Sequence, residues 1–181
     1  VNGDGLADLV IGQEIFTSNG RDQNGASYVV FGKTDGDAIE LSAVANTSNT
    51  GGFVINGSAS YDFAGSMVSN AGDVNGDGLD DLLIAADGAE AAGTGSRSGI
   101  TYLVFGKTDG SLINLSAIAD SSDGFAIYGA SHLDFTGSSI SGAGDLNGDG
   151  LADMIIGGRG VDQNGVDSGA SYIVFGKTDT A

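Results

Sequence analysis

The chain has 181 residues, 40% of them hydrophobic, which is enough for one folded domain and excludes wholesale disorder. Its 24 acidic residues outweigh 6 basic ones for a formal charge of −18, so nucleic acid and anionic membrane surfaces are repelled and cations are the natural partner. It has no Cys, which excludes disulfides, thiolate catalysis and sulfur-ligated zinc, and its 33 Gly with no Pro describe tight turns joined by short strands.

In chain order, the first recognisable element is Asn2-Gly3-Asp4-Gly5-Leu6, which returns as Asn75-Gly76-Asp77-Gly78-Leu79 and as Asn147-Gly148-Asp149-Gly150-Leu151, steps of 73 and 72 residues. Next comes Tyr28-Val29-Val30-Phe31-Gly32-Lys33, repeated as Tyr102-Leu103-Val104-Phe105-Gly106-Lys107 and Tyr172-Ile173-Val174-Phe175-Gly176-Lys177. A helical turn is predicted around Leu41 to Ala45 and again around Leu115 to Ala119. A third block, Asp62-Phe63-Ala64-Gly65-Ser66, matches Asp134-Phe135-Thr136-Gly137-Ser138. Within the middle repeat, strands are predicted over Ala64 to Ser69, Leu82 to Ala85, Ile100 to Phe105 and Phe125 to Tyr128. The second and third are almost continuously apolar, so both of their faces are covered, as in sheets stacked on sheets.

A four-stranded antiparallel unit repeated about every 72 residues predicts an all-β fold of β-propeller blades. Residues 1–60 supply strands two to four of a partial blade, 61–132 a complete blade, and 133–181 strands one to three of another. Together they make about 2.5 blades of one larger propeller domain, since propellers close with about 4 to 8. The alternative is an open stack of β-units or a sandwich. No apolar run approaches the roughly 20 residues that span a bilayer, so no membrane insertion is expected, and any export signal is expected outside this stretch.

The candidate chemistry lies between the first and second strands, in the pattern D-x-N-x-D-G-x-x-D. Calcium takes about six to eight oxygen ligands in a forgiving geometry, which alternate side chains of a coiled loop supply from one side. Asp73, Asn75, Asp77 and Asp81 are the predicted side-chain ligands, with the Leu79 carbonyl between them. Asp145, Asn147, Asp149, Asp153 and the Leu151 carbonyl form the second set. Asn2, Asp4, Asp8 and the Leu6 carbonyl form a truncated third, because Val1 aligns with Val74 and Leu146; that site is weak if nothing precedes Val1 and normal if the chain continues. The EF-hand reading fails, since its position-12 Glu is replaced by Ile84 and Ile156. Magnesium prefers a stricter octahedron and zinc lacks its nitrogen and sulfur donors. The competing reading is of plain Asp/Asn/Gly turns, but converging carboxylates repel one another without a cation.

No catalytic residue is predicted. His132, the sole histidine, has no acidic or thiol partner at catalytic spacing, no G-x-S-x-G elbow exists, and Gly93-Thr94-Gly95 lacks the context of a phosphate loop. A glycosidase with paired carboxylates stays open, although the most organised acids are already assigned as ligands. Asp62 and Asp134 read as turn formers. Asp22-Gln23-Asn24-Gly25 and Asp162-Gln163-Asn164-Gly165 read as hairpin tips and candidate binding surface.

The pieces Phe63-Ala64-Gly65-Ser66-Met67-Val68, Gly72 to Asp81, Leu82-Leu83-Ile84-Ala85-Ala86 and Tyr102-Leu103-Val104-Phe105-Gly106 resemble the FG-GAP repeats of integrin α-subunit propellers and their bacterial surface relatives. The Gly-Ala-Pro of that family is replaced by Ala85-Ala86-Asp87, and its Phe-Gly pair by Phe-Ala-Gly or Phe-Thr-Gly; neither change touches the metal loop. The repeat is also longer, the excess lying in segments such as Thr34 to Gly52. The resemblance implies seven blades in the complete protein, calcium on one rim, and a non-catalytic role in adhesion or in carbohydrate and protein binding at the cell surface or outside the cell. The expected partners are calcium ions, a protein or glycan ligand, and other copies of the chain, which in a lattice- or filament-forming protein would complete its blades.

Overall fold

The computed structural model describes residues 1–45 and 51–178. Residues 46–50, part of the predicted insertion from Thr34 to Gly52, lie outside them. The strands are β1 (Leu9–Gln13), β2 (Ala26–Val30), β3 (Gly52–Asn56), β4 (Met67–Gly72), β5 (Asp81–Ala86), β6 (Ile100–Val104), β7 (Ile113–Asn114), β8 (Gly124–Tyr128), β9 (Thr136–Gly144), β10 (Asp153–Gly158) and β11 (Ala170–Val174). A short helix α1 (Leu41–Val44) and a 3-10 turn (Leu115–Asp120) stand where helical turns are predicted.

Three sheets result, ordered β1-β2-β3-β7, β4-β5-β6-β8 and β11-β10-β9. The middle sheet is the complete antiparallel blade, its register running Leu82↔Val104, Leu83↔Leu103 and Ile84↔Tyr102 across β5 and β6. Among the described residues, one strand is not antiparallel. β7 comes from the β6-to-β8 connection of the second repeat and lies parallel on β3 of the first, pairing Ile55↔Ile113 and Asn56↔Asn114.

Stacking of the sheets explains the continuous apolar runs of β5 and β6. Leu82, Ile84, Tyr102 and Val104 turn toward the first sheet and join Val29, Phe31, Phe53 and Ile55 in one core cluster. Leu83, Ala85, Leu103 and Phe105 turn the other way, onto Ile140, Met154 and Ile156 of the third sheet. Each such side chain contributes about 1.5–3 kcal/mol of burial free energy, so the sheets are held chiefly face to face.

The first strand of the middle blade starts at Met67 rather than at the predicted Ala64. Residues 61–65 are instead spent on tying repeats together. Tyr61, Phe63 and Ala64 donate their amides to the Asp22, Gln23 and Asn24 carbonyls of the preceding repeat, and Ala64 bridges Gly25 in parallel. Leu133, Phe135 and Thr136 do the same to Ser96, Arg97 and Ser98. This docking requires positive φ at Tyr61, Phe63, Leu133 and Phe135, a conformation these side chains adopt only when tertiary contacts hold it. The buried Asp62 and Asp134 shape the turn, each accepting an amide three residues back, from Ala59 and Ser131, at 2.8 Å.

Candidate metal centre

Each candidate loop joins two strands of one blade, and its shape is set by its own side chains. In the middle loop Asp73 Oδ1 accepts the amides of Gly76 and Asp77 at 2.7 and 3.1 Å, and Oδ2 that of Gly78 at 2.9 Å. Asn75 Oδ1 accepts from Asp77 N and Asp77 Oδ1 from Leu79 N, at 2.9 and 2.8 Å. Gly76 and Gly78, at φ 79° and 90°, supply the left-handed turns that let alternate side chains fall on one side. The loop from Asp145 to Asp153 repeats every one of these contacts within about 0.1 Å, down to the Asn147 amide nitrogen donating to Asp149 Oδ2 at 2.9 Å, the distance from Asn75 to Asp77.

Asp81 and Asp153, the ninth residues, are fully buried. Asp81 Oδ2 accepts the Val74 amide at the start of the loop, and its Oδ1 accepts the Gly106 amide 25 residues on, both at 2.9 Å. Asp153 does likewise with Leu146 and Gly176 at 2.7 and 2.9 Å, and Asp8 Oδ1 with Gly32 at 2.8 Å. One carboxylate thus fastens the acidic loop to the Phe-Gly-Lys block, two motifs that the sequence shows only as separate repeats. Burial pushes Asp81 up to about 6, and the neighbouring charges of Asp77 and Asp73 push in the same direction. In the first loop Asn2 Oδ1 accepts Asp4 N, Asp4 Oδ1 accepts Leu6 N, and the Val1 amino group sits 3.0 Å from Asp8 Oδ2.

The donor set is all oxygen, mostly charged, and hard, which matches calcium in kind. Among the described residues no three carboxylate or imidazole groups are gathered tightly enough to hold an ion by themselves. The loop oxygens rest on loop amides, and each retains lone-pair capacity beyond that hydrogen bond. Gripping an ion therefore calls for the loop oxygens to draw closer together than they stand.

The three loops line one rim. A Cβ added to Gly3 would come within 2.7 Å of Leu79 Cδ2, and one on Gly76 within 3.0 Å of Leu151 Cδ2, so the seventh residue of each loop lies over the fourth of the loop before it. The leucine thus has a packing role besides its carbonyl, and its recurrence as Leu6, Leu79 and Leu151 is the sign of that role in the sequence.

One other motif is placed differently from the sequence reading. Asn24 is not a hairpin tip but wholly buried, its Oδ1 accepting Ser18 N at 3.0 Å and its Nδ2 donating to the Gly57 carbonyl at 3.1 Å. Its amide group holds the β1-to-β2 connection against the end of β3. Asn164, in the corresponding loop of the third repeat, is exposed as predicted. His132 Nδ1 lies 2.9 Å from the Ser96 carbonyl, in a loop-to-loop contact with no carboxylate partner among the described residues.

Comparison with known proteins agrees with this architecture. The FG-GAP repeat family model matches residues 65–100 and 136–174, which include both complete acidic loops. Integrin alpha-5 of Xenopus laevis is 32% identical over 168 residues, covering 90% of this chain. The chain spans 14% of the length of that relative. With a complete four-stranded blade, two neighbouring partial ones and the loop repeated on one rim, the chain is a run of FG-GAP repeats of the integrin α-type β-propeller family.

Proposed function

We propose that the chain is a calcium-binding, non-catalytic adhesion or interaction module of a secreted or cell-surface protein. The observation that carries this reading is the acidic loop itself: the same nine-residue set, with the same internal hydrogen bonds, recurs on one rim and ends on a buried aspartate, and at Asp81 burial and the charges of Asp77 and Asp73 oppose the ionised form. A divalent ion would offset that repulsion in a chain of net charge −18. Asp73, Asn75, Asp77 and Asp81 would hold one ion and Asp145, Asn147, Asp149 and Asp153 another, with the Leu79 and Leu151 carbonyls, and Asn2, Asp4, Asp8 and the Leu6 carbonyl would contribute to a third. The ions would serve as structural staples, and the polar loops of the blades would present the surface to a protein or glycan ligand.

Differential scanning calorimetry tests the reading. An ion held at a hundred times its dissociation constant stabilises by about 2.7 kcal/mol per site, so saturating calcium should raise the melting temperature by about ten degrees over the chelated chain. A melting temperature indifferent to chelator removes the calcium reading.

A further inference from the structure

Asparagine followed by glycine is the pair in which a backbone nitrogen most readily attacks the side chain before it, because glycine has no Cβ to crowd the approach. The sequence holds seven such pairs. Their chemistry is the same, so what separates them is how firmly the fold holds the glycine nitrogen and the asparagine amide.

In six pairs at least one of the two is held. Gly76 and Gly148 donate their amides to Asp73 and Asp145 Oδ1 at 2.7 Å, while Asn75 and Asn147 each bond twice to the aspartate two residues on. Asn2 bonds twice to Asp4 in the same way. Asn24 is wholly buried between Ser18 and Gly57, and Gly25 N donates to the Phe16 carbonyl at 3.1 Å. Asn56 is buried and donates to Asn114 Oδ1 at 3.2 Å, and Gly57 N donates to the Gly25 carbonyl at 2.9 Å. Beside exposed Asn164, Gly165 N is tied to the Asp162 carbonyl at 3.3 Å.

Asn19-Gly20 differs in both halves. The two residues are exposed, and among the described residues neither the Asn19 side chain nor the Gly20 amide has a hydrogen-bond partner. They form the centre of a tight turn, with φ of 53° and 74°, closed by the Arg21 amide on the Ser18 carbonyl at 2.9 Å. A Cβ built on Gly20 would meet nothing within 4 Å. This openness belongs to the turn itself: its counterpart Ala92-Gly93, closed by the Thr94 amide on the Ala91 carbonyl at 3.1 Å, is also exposed although a sheet lies on either side of its repeat.

We propose that Asn19 is a self-modification site, converting to aspartate and isoaspartate through a cyclic imide. The Gly20 nitrogen gives its proton to solvent base and attacks Asn19 Cγ. The N–Cγ bond forms, the Cγ–Nδ2 bond breaks, and ammonia leaves with a proton taken from water. A water molecule then opens the ring. Attack at Cγ gives aspartate, and attack at the backbone carbonyl gives isoaspartate, whose main chain carries an extra carbon. Either product exchanges a neutral amide for a carboxylate, with no oxidation or reduction. The closing bond of the turn must open first, a local event rather than a global one. The lengthened main chain falls beside Ser18, whose amide and hydroxyl both bond Asn24 Oδ1, at 3.0 and 3.3 Å, and close to the Asp22 carbonyl on which the Tyr61 amide docks. Isoaspartate therefore loosens the joint between the first and second repeats, and aspartate, with its normal main chain, leaves it intact. The site does not depend on the calcium reading.

Peptide mapping by mass spectrometry tests this, on the folded chain held in mildly alkaline buffer and on the same chain in denaturing urea. In the folded chain Asn19 should convert first, with Asn24, Asn56, Asn75 and Asn147 at least about fivefold slower because each must first lose two or more hydrogen bonds. In urea that spread should collapse. Asn19→Gln should remove most of the early isoaspartate, and the isoaspartate fraction of the aged chain should melt about 2–4 degrees below Asn19→Asp. Another pair converting first in the folded chain, a spread no wider than in urea, or isoaspartate undiminished in Asn19→Gln overturns the site; an isoaspartate fraction that melts with Asn19→Asp overturns the loosened joint.

Discussion

The carbonyl oxygen of Asp73 accepts the backbone amide of Ala152 at 2.9 Å, joining the first residue of one acidic loop to the residue before buried Asp153 in the next repeat. The adjacent Val74 carbonyl accepts the Lys177 amide at 3.0 Å, and the Val74 side chain is buried between the second and third sheets. Loop shape and sheet docking are therefore mechanically linked. Whatever fixes Asp73 also fixes the platform on which the third sheet rests.

From this link, calcium should slow hydrogen exchange at the Lys177 amide, which belongs to a different repeat from the loop it bonds and lies outside the Asp145–Asp153 loop. Asp77→Ala should abolish that slowing while leaving the amides of β5 protected. Exchange followed by NMR with and without calcium makes the comparison; slowing confined to the acidic loops themselves would show that the loop from 73 to 81 and the third sheet are uncoupled.

Asp81 has a structural role separable from ion binding. Asp81→Ala leaves the Val74 and Gly106 amides without their acceptor, at about 1–3 kcal/mol for each buried unpaired group, so urea denaturation in chelator should register a loss of about 2–5 kcal/mol. Asp81→Asn keeps one acceptor oxygen and removes a charge that burial disfavours, so its loss in chelator should be smaller. Equal losses in the two variants would contradict the hydrogen-bond account.

Asn24→Ala should destabilise by about 2–4 kcal/mol, because the Ser18 amide and the Gly57 carbonyl both lose a buried partner. Asn24→Ser should recover part of this, since Ser98 occupies the matching position in the second repeat and its Oγ accepts the Ala91 amide at 2.9 Å. Thermal unfolding of the two variants reads the difference directly, and a loss under 0.5 kcal/mol, the scale of about an ordinary surface change, would return Asn24 to the hairpin-tip reading.

Burial raises the Asp62 carboxyl above its ordinary value, outweighing the Ala59 amide that lowers it. The folded chain then binds this proton more tightly than the unfolded one. The contribution of Asp62 is most favourable below the unfolded value of 3.8 and is lost as pH rises through the raised folded value. Asp62→Asn retains an acceptor for Ala59 without the charge, so its urea midpoint should fall less than that of the wild type between pH 4 and pH 7. A steeper fall in the variant would reverse the assigned direction.

The blade pattern was legible because its causes are local. Alternating Gly and Asp make turns, and apolar runs such as Leu82 to Ala86 need two covered faces wherever they lie. The loop from Asp73 to Asp81 was legible for the same reason, since the side-chain hydrogen bonds within it span at most seven residues, whereas its ties to Gly106, Ala152 and Lys177 do not. What escaped were relationships between repeats. Nothing near Ala64 marks it as a bridge to Gly25, nothing near Ile113 marks a parallel pairing with Ile55, and Asn24-Gly25 carries an ordinary turn signature while its side chain is buried. Each depends on chain brought in from 30 or more residues away, which local propensity does not encode.

The central claim is that the acidic loops hold calcium, and isothermal titration of calcium into the metal-stripped chain tests it most directly. The account predicts binding of at least two ions per chain, with dissociation constants of about 10⁻⁴ to 10⁻³ M as in extracellular modules, and the loss of one ion each in Asp77→Ala and Asp149→Ala. Absence of binding heat over that range, or a stoichiometry unchanged in both variants, would contradict it.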